Sequence, residues 1–474
     1  MTVQAKSLLF SATIDKYQPM VVGGEGNYLI VEDPDTKERR HIFDAIGGAA
    51  VNALGLGDSD IVKEMGEAAK TCTYSFPAAL TNYYAEELAK FYIENSPKDV
   101  FASASWTASG SESNENAMKI VRQYYLEKGE KERTIYVSRK QSYHGYTIGA
   151  LALGDSSRAT PFRDITLPIE QTPKVSQCYP YRGLKEGETM SQYKDRLLQE
   201  VEETFIKFGT HKIAAFVCET LSGSTFGTSP AVPGYLAGLR SLCDKYGILL
   251  WLDEVMCGTG RSSATGGLNC WESYEDFKGP DLQTVGKTLG SGYVTIAGIL
   301  ISPKIKKVFL EGSGFIPGAQ TYHQHSFNCR VALAVQKKIK EQGLKKNIFE
   351  KGELLGRLLK ERGLTDKFRT IGDVRGLGGF WSLEIVKNKD TKEPFPAELK
   401  LGPSIASKCL ENGMTVMGAG GTVDGKVGDH VTVAPTFIIN EDDVEYIVST
   451  LLKSVSDVEK SLIEAGNLES YFTT

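Results

Sequence analysis

The stretch ILLWLDEVMCGTGR, residues 248–261, decides the fold. Its apolar residues predict a buried strand, yet the run ends in two adjacent carboxylates, Asp253 and Glu254. Because side chains alternate along a strand, Asp253 and Val255 should face one side and Glu254 the other. A buried carboxylate requires a compensating partner. We expect Asp253 to hold a positive charge on a ligand; a helix cap or an ion pair with Arg261 is the structural alternative.

Other short apolar runs predict further buried strands, at residues 133–139, 212–219, 282–287 and 296–302. Helical spacing lies between several of them, most clearly in PGYLAGLRSLCDKYG (233–247). Strands that alternate with helices predict an α/β fold, with a mostly parallel sheet covered by helices on both faces. Ligands bind such sheets beyond the carboxyl ends of the strands, which is where Asp253 is expected.

The pattern changes near Arg330, where long charged helices begin and a predicted strand pair follows at 373–386. We therefore expect a large domain at residues 76–329 and a smaller α+β domain at residues 330–474. The N-terminal segment, residues 1–75, is expected to pack with the smaller domain.

The composition of the 474-residue chain argues against several classes of protein. Its net charge of -5 gives no basic surface for nucleic acid or an anionic membrane, and no apolar stretch approaches the roughly 20 residues that span a bilayer. The N-terminus lacks the apolar core of a secretory signal, and its scarcity of arginine gives no support to a mitochondrial presequence, so we expect a cytoplasmic location. The scattered cysteines form no CxxC pair, and no metal site is expected.

A second reactive group follows a neighbouring predicted strand, in TVGKTLGSGY (284–293). Lys287 ends an apolar run, and a partly desolvated lysine has a lowered pKa and can act as a nucleophile. The alternative is an ordinary lysine whose stem packs while its ammonium group reaches solvent. A phosphate-binding P-loop is excluded, because the GxxxxGK[ST] spacing places Asp281 where glycine is required.

The stretch WTASGSESNENAMKIVRQYY (106–125) predicts a helix that begins after a turn of small residues. Ser109 and Glu112 fit a capping box. The free N–H groups of Gly110 and Ser111 at the same helix N-terminus would also form a site for a phosphate. The two interpretations are compatible.

An aromatic residue follows another predicted strand, in SYHGYTIGA (142–150). The ring of Tyr143 could stack on a planar ligand, although core packing is the usual role of a lone tyrosine. Each of these features is a weak indication when taken alone.

Together and in this order, these stretches resemble the class III aminotransferases, which are pyridoxal-phosphate enzymes of fold type I with a mostly parallel, seven-stranded type of sheet. The resemblance covers nearly the whole chain, and its most specific part is DEV at 253–255 followed by GK and LGSGY within 286–293. Further stretches that resemble the family are GNYLIVEDPDTKERRHIFDAIGGAAVNALGLG (26–57), SGSESNENAMKIVR (109–122), YHGYTIGA (143–150), AAFVCE (214–219), TYHQHSFNCRVALAVQ (321–336) and GDHVTVAPTFIINEDDV (428–444).

The resemblance implies roles for individual residues around pyridoxal 5'-phosphate. Lys287 would form the Schiff base with the cofactor and later transfer a proton, and Asp253 would pair with the protonated pyridine nitrogen. Tyr143 and Val255 would contact the two faces of the ring. The remaining implied contacts are with the phosphate (Ser109, Gly110, Ser111, and Thr321 of a neighbouring subunit), with the hydroxyl side of the ring and the substrate (Glu219), and close behind Tyr143 (His144). The expected assembly is a homodimer with active sites at the subunit interface.

The sequence departs from the family pattern at several positions. Thr220 follows Glu219 where proline is usual, and Ser326 follows His325 where the family has His-Pro. Many members that act on amines carry an arginine for substrate carboxylates at the position of Gly425. How this chain binds the carboxylate of a keto acid is therefore an open question at the level of sequence.

The implied activity is the transfer of an amino group from an ω-amino acid, a diamine or another primary amine to a keto acid by a ping-pong mechanism. Pyruvate is favoured over 2-oxoglutarate as the acceptor. A pyridoxal-phosphate aminomutase or a decarboxylating transaminase of the same fold is the nearer alternative. A nicotinamide-dependent oxidoreductase is the distant one, since no GxGxxG follows a predicted strand.

Overall fold

The computed structural model describes residues 7–10 and 18–468. Its strands are β1 (Met20–Glu25), β2 (Tyr28–Glu32), β3 (Arg39–Asp44), β4 (Ser103–Thr107), β5 (Ile135–Arg139), β6 (Lys174–Val175), β7 (Ile213–Glu219), β8 (Leu249–Glu254), β9 (Leu282–Val285), β10 (Ala297–Ile301), β11 (Ile371–Leu377), β12 (Phe380–Ile385), β13 (Met414–Thr415), β14 (Met417–Gly420) and β15 (Asp429–Val433).

The helices of the same residues are α1 (Gly47–Ala50), α2 (Ser59–Thr71), α3 (Tyr83–Glu94), α4 (Gly110–Glu127), α5 (Ile148–Leu153), α6 (Pro180–Gly183), α7 (Met190–Phe208), α8 (Tyr235–Tyr246), α9 (Pro303–Glu311), α10 (Ser326–Glu341), α11 (Leu344–Gly363), α12 (Leu401–Glu411) and α13 (Glu441–Glu464). Short 3-10 helices lie at Ser157–Ile165, Cys270–Ser273, Lys287–Leu289 and Ala397–Leu399. In the described part of the chain, no helix is long and apolar enough to cross a membrane.

The central sheet has seven strands in the order β4-β10-β9-β8-β7-β5-β6. The predicted strands lie at β5, β7, β8, β9 and β10, and the predicted α/β class is confirmed. The sheet is parallel from β9 to β6, but β10 runs antiparallel to both of its neighbours. A parallel crossover needs a dozen or more residues and usually a full helix. The connection at 286–296 contains only a 3-10 helix, so β10 turns back beside β9.

Strand β8 shows why the sheet is covered on both faces. Leu250 and Leu252 pack into one apolar cluster, whereas Leu249 and Trp251 pack into another with the buried residues of α4. Side chains on a strand point alternately to the two faces. The two carboxylates that end β8 therefore leave the strand on opposite sides, as the sequence predicts.

The remaining sheets lie outside this layer, in the orders β1-β2-β3-β13 and β11-β12-β15-β14. The strand pair predicted at 373–386 is the antiparallel pair β11–β12. Strand β3 pairs in parallel with β13, and Phe43 and Ile61 share an apolar cluster with residues of α10 to α13. These contacts join the N-terminal segment to the C-terminal one. The proposed boundaries after residues 75 and 329 stay predictions.

Candidate active site

A cavity of about 510 Å³ opens at the carboxyl ends of the central strands. The family resemblance singles out ten residues, and all but Thr321 line this cavity: Ser109, Gly110, Ser111, Tyr143, His144, Glu219, Asp253, Val255 and Lys287. In sequence they are spread over a long stretch, with 178 positions separating the first, Ser109, from the last, Lys287. The parallel strands bring them together because their carboxyl ends meet at one edge of the sheet.

Asp253 is a buried carboxylate, 5% exposed, held in one orientation. Its Oδ2 atom lies 2.9 Å from Nδ1 of His144 and accepts a 2.9 Å hydrogen bond from the side-chain amide of Asn114. Its Oδ1 atom accepts from the backbone N–H of Val255 at 3.0 Å. Asp253 is thus held in one orientation by two neighbouring side chains and a backbone N–H group.

Asn114 is a site residue that the sequence reasoning missed. It lies one turn after Gly110 on α4, and its amide also donates to the backbone oxygen of His144. The helical spacing of the sequence could have identified it. Asn114 precedes the buried Ala117 and Val121 by three and seven residues, so it shares their inward face.

The ion pair with Arg261 does not form, whereas the helix-cap alternative holds for Glu254, whose carboxylate accepts from the first two N–H groups of the 3-10 helix Cys270–Ser273. Arg261 is fully buried, but its guanidinium donates to the backbone oxygens of Gly379 and Pro435 at 3.1 and 2.8 Å. Neither carboxylate forms an ion pair with it. A buried guanidinium can be satisfied by carbonyl oxygens alone, and the sequence does not reveal which acceptors the fold supplies.

Glu254, on the opposite side of β8, has a full set of hydrogen-bond donors. Its carboxylate accepts from the hydroxyl of Thr220 at 2.7 Å and from the backbone N–H groups of Cys270 and Trp271 at 2.8 and 2.9 Å. The amide of Gln283 adds a fourth bond at 3.2 Å. Burial nevertheless raises the pKa of Glu254 to about 7, while these donors oppose the shift. Glu254 therefore connects β8 to the segment at 270–271, to β9 and to the residue after β7, and it does not line the cavity.

Lys287 follows β9 and places its amine in the cavity. Its Nζ atom donates a 2.8 Å hydrogen bond to the backbone oxygen of Ala49, a contact not foreseen from the sequence. Burial lowers the pKa of Lys287 to about 8, helped by the positive charge of Arg261 and opposed by the negative charge of Asp253. At pH 7 roughly a tenth of the amine is therefore uncharged, far more than at the ordinary lysine pKa of about 10.4, and the uncharged form is the one that a nucleophile or base requires.

Glu219 is the second carboxyl group of the cavity. Burial raises its pKa to about 8, with the buried Arg139 opposing the shift and Asp253 adding to it. The guanidinium of Arg139 donates to the backbone oxygen of Glu219 at 2.6 Å and lies 3.8 Å from its Oε2 atom. Glu219 is thus a protonated acid near neutral pH that can donate a hydrogen bond into the cavity.

The first turn of α4 borders the cavity where a phosphate site was predicted. The Ser109 hydroxyl accepts from the backbone N–H of Glu112 at 3.3 Å. In return the Glu112 carboxylate accepts from the backbone N–H of Ala108 at 2.9 Å, one residue before the Ser109 N–H that a capping box uses. The N–H groups of Gly110 and Ser111 have no intrahelical acceptor in such a turn. They are available to an anion bound at the cavity surface.

Val255 and Tyr143 line the space between these polar groups. A Cβ atom at Gly110 would come within 2.8 Å of Val255 Cγ1, and one at Gly286 within 3.2 Å of the same atom. Glycine at both positions therefore leaves room for the valine side chain. The guanidinium carbon of Arg158, which the sequence reasoning also missed, lies 4.9 Å from the centre of the Tyr143 ring.

Thr321 is exposed and does not line the cavity of its own chain. It lies just before α10, whose N-terminus is capped by His325. Its expected contact would be made with a neighbouring subunit, and this stays a prediction.

The residues of the cavity fit pyridoxal phosphate. A fixed carboxylate suits a protonated ring nitrogen, an amine of lowered pKa suits an aldehyde, and free N–H groups at a helix N-terminus suit a phosphate. The space kept open by Gly110 beside Val255 suits a flat ring. Each requirement is met by a different residue of the same cavity.

Comparison with known proteins identifies the family of the chain. The family model "Aminotransferase class-III" matches residues 12–455. An uncharacterized aminotransferase of Schizosaccharomyces pombe is 39% identical over 461 residues, covering 97% of both chains. Gamma aminobutyrate transaminase 2 of Solanum lycopersicum is 32% identical over 80% of this chain and 79% of its own. A solved (S)-enantioselective omega-transaminase from Thermomicrobium roseum superimposes with a TM-score of 0.86 at 28% identity, covering 95% of this chain and 96% of its own. The chain belongs to the class III aminotransferases.

Proposed function

We propose that this aminotransferase moves an amino group from an ω-amino acid, a diamine or another primary amine to a keto acid, with pyruvate favoured over 2-oxoglutarate. The observation that carries the proposal is the pairing in one cavity of the Lys287 amine, of lowered pKa, with the buried carboxylate of Asp253. The relatives named as a gamma aminobutyrate transaminase and an omega-transaminase support the class of amine donor.

The mechanism assigns a separate task to each residue. Pyridoxal phosphate, when bound, supplies an aldehyde that takes up the amino group and a ring that accepts electrons from the donor carbon. Asp253 would hold a proton at the ring nitrogen, and His144 and Asn114 keep that carboxyl group oriented. Lys287 Nζ takes a proton from the donor carbon and later returns it. Val255 and Tyr143 exclude water from the ring faces.

The proposed assembly is a homodimer in which Thr321 of each subunit contributes to the phosphate site of the other. The exposure of Thr321 and its position outside the cavity of its own chain are compatible with that role. The cytoplasmic location expected from the sequence stays a prediction.

A panel of amines tested against pyruvate and 2-oxoglutarate with the purified holoenzyme tests the proposal. We expect parallel lines in double-reciprocal plots, as in a ping-pong mechanism, and turnover only when both substrates are present. Turnover of a single amino compound without any acceptor would instead indicate an aminomutase. Release of carbon dioxide in step with amino transfer would indicate a decarboxylating transaminase.

A further inference from the structure

A second, polar cavity of about 200 Å³ adjoins the active site. Arg158 and Ser224 line both cavities, so their side chains form part of the boundary between the two. Much of the remaining wall is formed by the hydroxyl-bearing residues Ser156, Ser157 and Thr225 and by the segment 419–421. A substrate that reacts beside Lys287 can extend its far end towards this region.

The charges of the two cavities leave one cation without an anionic partner. Among the residues lining them, the cations are Lys287 and Arg158, and Lys287 is the reacting amine. Asp155, the acidic residue of the second cavity, already pairs with Arg163 at 2.6 Å. Arg158 forms no ion pair with any described residue, and its guanidinium carbon lies 4.9 Å from the centre of the Tyr143 ring.

The position of Arg158 suits recognition of a carboxylate. A guanidinium is planar and offers paired N–H donors that match the two oxygens of a carboxylate. Its guanidinium carbon lies 4.9 Å from the centre of the Tyr143 ring, a distance at which cation and ring attract each other, and the side chain is exposed, so its N–H donors are open to a ligand. Arg158 also acts electrostatically on Lys287, since its charge contributes to lowering the pKa of that amine. It is therefore close enough to influence the reacting end of a bound substrate.

The C-terminal segment explains why a cation is needed from this side. Gly425, where many related enzymes carry an arginine for substrate carboxylates, lines the same polar cavity as Arg158. Its φ of 85° is the left-handed conformation that favours glycine. The neighbouring Lys426 is exposed and does not line the cavity. Among the described residues that line this cavity, Arg158 is thus the one that carries a guanidinium group.

We propose that Arg158, from the 3-10 helix Ser157–Ile165, binds the carboxylate of the keto-acid acceptor and of ω-amino-acid donors. The proposal rests on the transaminase function above and makes Arg158 the residue that selects carboxylate-bearing substrates. Its expected ligand is a short acid whose amino or carbonyl carbon lies at Lys287 while the carboxylate reaches the boundary of the two cavities.

The test compares substrates that differ by one carboxylate. In wild-type enzyme and in Arg158→Gln, kcat/KM is measured for 4-aminobutanoate against butan-1-amine as donors, and for pyruvate against propanal as acceptors. Loss of a charged hydrogen bond predicts that the preference for the carboxylate member of each pair falls roughly tenfold to a hundredfold, mainly through KM. Arg158→Lys, which keeps the charge without the paired donors, should retain an intermediate preference. Arg357→Gln, an exposed arginine on α11, is the matched control and should leave the preference unchanged.

A binding measurement separates this proposal from the proposed function. Isothermal titration calorimetry of the holoenzyme with valerate, an unreactive carboxylate, should show binding that Arg158→Gln weakens by a similar factor. If the wild type transaminates none of these substrates, the proposed function is wrong, and valerate binding still decides the role of Arg158. An unchanged preference and unchanged valerate binding in Arg158→Gln would overturn the proposal. A raised dissociation constant for pyridoxal phosphate, with the substrate preference intact, would overturn it too and assign Arg158 to the cofactor.

Discussion

Lys287 combines a reactive group with an unusual backbone conformation. Its φ of 47° lies in the left-handed region that residues other than glycine rarely adopt, and burial lowers the pKa of its ammonium group to about 8. Below that pH the ammonium form predominates and is not nucleophilic, whereas above it the free amine predominates. We expect the apoenzyme to capture pyridoxal phosphate faster as the pH rises towards 8 and to level off above it, measured by stopped-flow absorbance.

Replacement of Lys287 identifies the amine that reacts. Borohydride reduction followed by peptide mass spectrometry should find the cofactor on Lys287 in the wild type and on no lysine in Lys287→Ala, because no other described residue that lines the cavity offers a primary amine. Lys307→Ala, on the surface of α9, is the matched control and should leave the labelling intact. Equal labelling of Lys287→Ala at another lysine would refute the assignment.

Asp253 should affect turnover more than cofactor binding. Asparagine in its place is nearly isosteric but neutral, so it no longer holds a proton at the ring nitrogen. Its side-chain amide also has an oxygen and an NH₂ group in place of two oxygens, and one of these must face Asn114 and His144. Losing one partner of a buried charge pair costs about 3–5 kcal/mol, which corresponds to a fall in kcat of roughly two to four orders of magnitude.

Cofactor content and kcat of Asp253→Asn are measured together, by absorbance and steady-state kinetics. Asp244→Asn, at an exposed position on α8, serves as the control and should behave like the wild type. A fully active Asp253→Asn enzyme would contradict the role assigned to the carboxylate.

At the scale of the element, strand β8 depends on Glu254. Because burial raises its pKa from 4.5 to about 7, the folded state keeps a proton that the unfolded state has lost between those pH values. The contribution of this group to stability therefore falls as the pH rises through that window. Glutamine does not titrate, so the destabilisation caused by Glu254→Gln should be larger at pH 5 than at pH 8.

The unfolding free energy from urea titrations at the two pH values checks this prediction. Glutamine also places an amide N–H₂ group among four donors, which should cost about 1–3 kcal/mol. The exposed Glu275→Gln variant should change stability by less than about 0.5 kcal/mol at both pH values. A destabilisation that does not depend on pH would show that Glu254 does not titrate in this range.

The start of α4 is the second element that the site depends on. A methyl group at Gly110 would lie 2.8 Å from Val255 Cγ1, so Gly110→Ala must push Val255 into the cavity or tilt the helix. We expect the dissociation constant of pyridoxal phosphate, measured by equilibrium dialysis, to rise roughly tenfold, as overpacking of about 1–3 kcal/mol implies.

Gly66→Ala is the matched control for this substitution. Gly66 lies inside α2, and an added Cβ meets no atom within 4 Å. Alanine there should stabilise the protein by up to about 1 kcal/mol through its helix propensity, without any change in cofactor affinity. Equal cofactor affinity in Gly110→Ala and the wild type would mean that the contact with Val255 does not shape the site.

At the scale of the whole molecule, the surface next to Thr321 should be covered by a second subunit. Phe315, Ile316 and Tyr322 lie within six residues of Thr321 in sequence and are 61%, 48% and 55% exposed. Several large exposed apolar side chains in one segment are typical of an interface. We expect Tyr322→Asp to lower both the fraction of dimer in sedimentation velocity and the activity. Leu364→Asp, an exposed apolar residue at the end of α11, should change neither. An active monomer at high dilution would rule out a contribution across the interface.

Much of the fold could be predicted from local sequence, because apolar runs and helical spacing mark buried strands and covering helices. The antiparallel direction of β10 could not, since a strand has the same apolar pattern in either direction. Its direction follows from the short connection after β9. The sequence also predicted a capping box with Glu112, but the Glu112 carboxylate accepts from the N–H of Ala108 and not from that of Ser109.

The sequence by itself determined the chemistry at the ends of the strands: Asp253 and Val255 on one side of β8, Glu254 on the other, and Lys287 after β9. Strand alternation fixes these directions whatever the rest of the chain does. Only the tertiary structure decided which partners they have, namely Asn114 and His144 at Asp253, four donors at Glu254, and Ala49 at Lys287. Those contacts join segments far apart in sequence, and they depend on how whole elements pack, which no local pattern encodes.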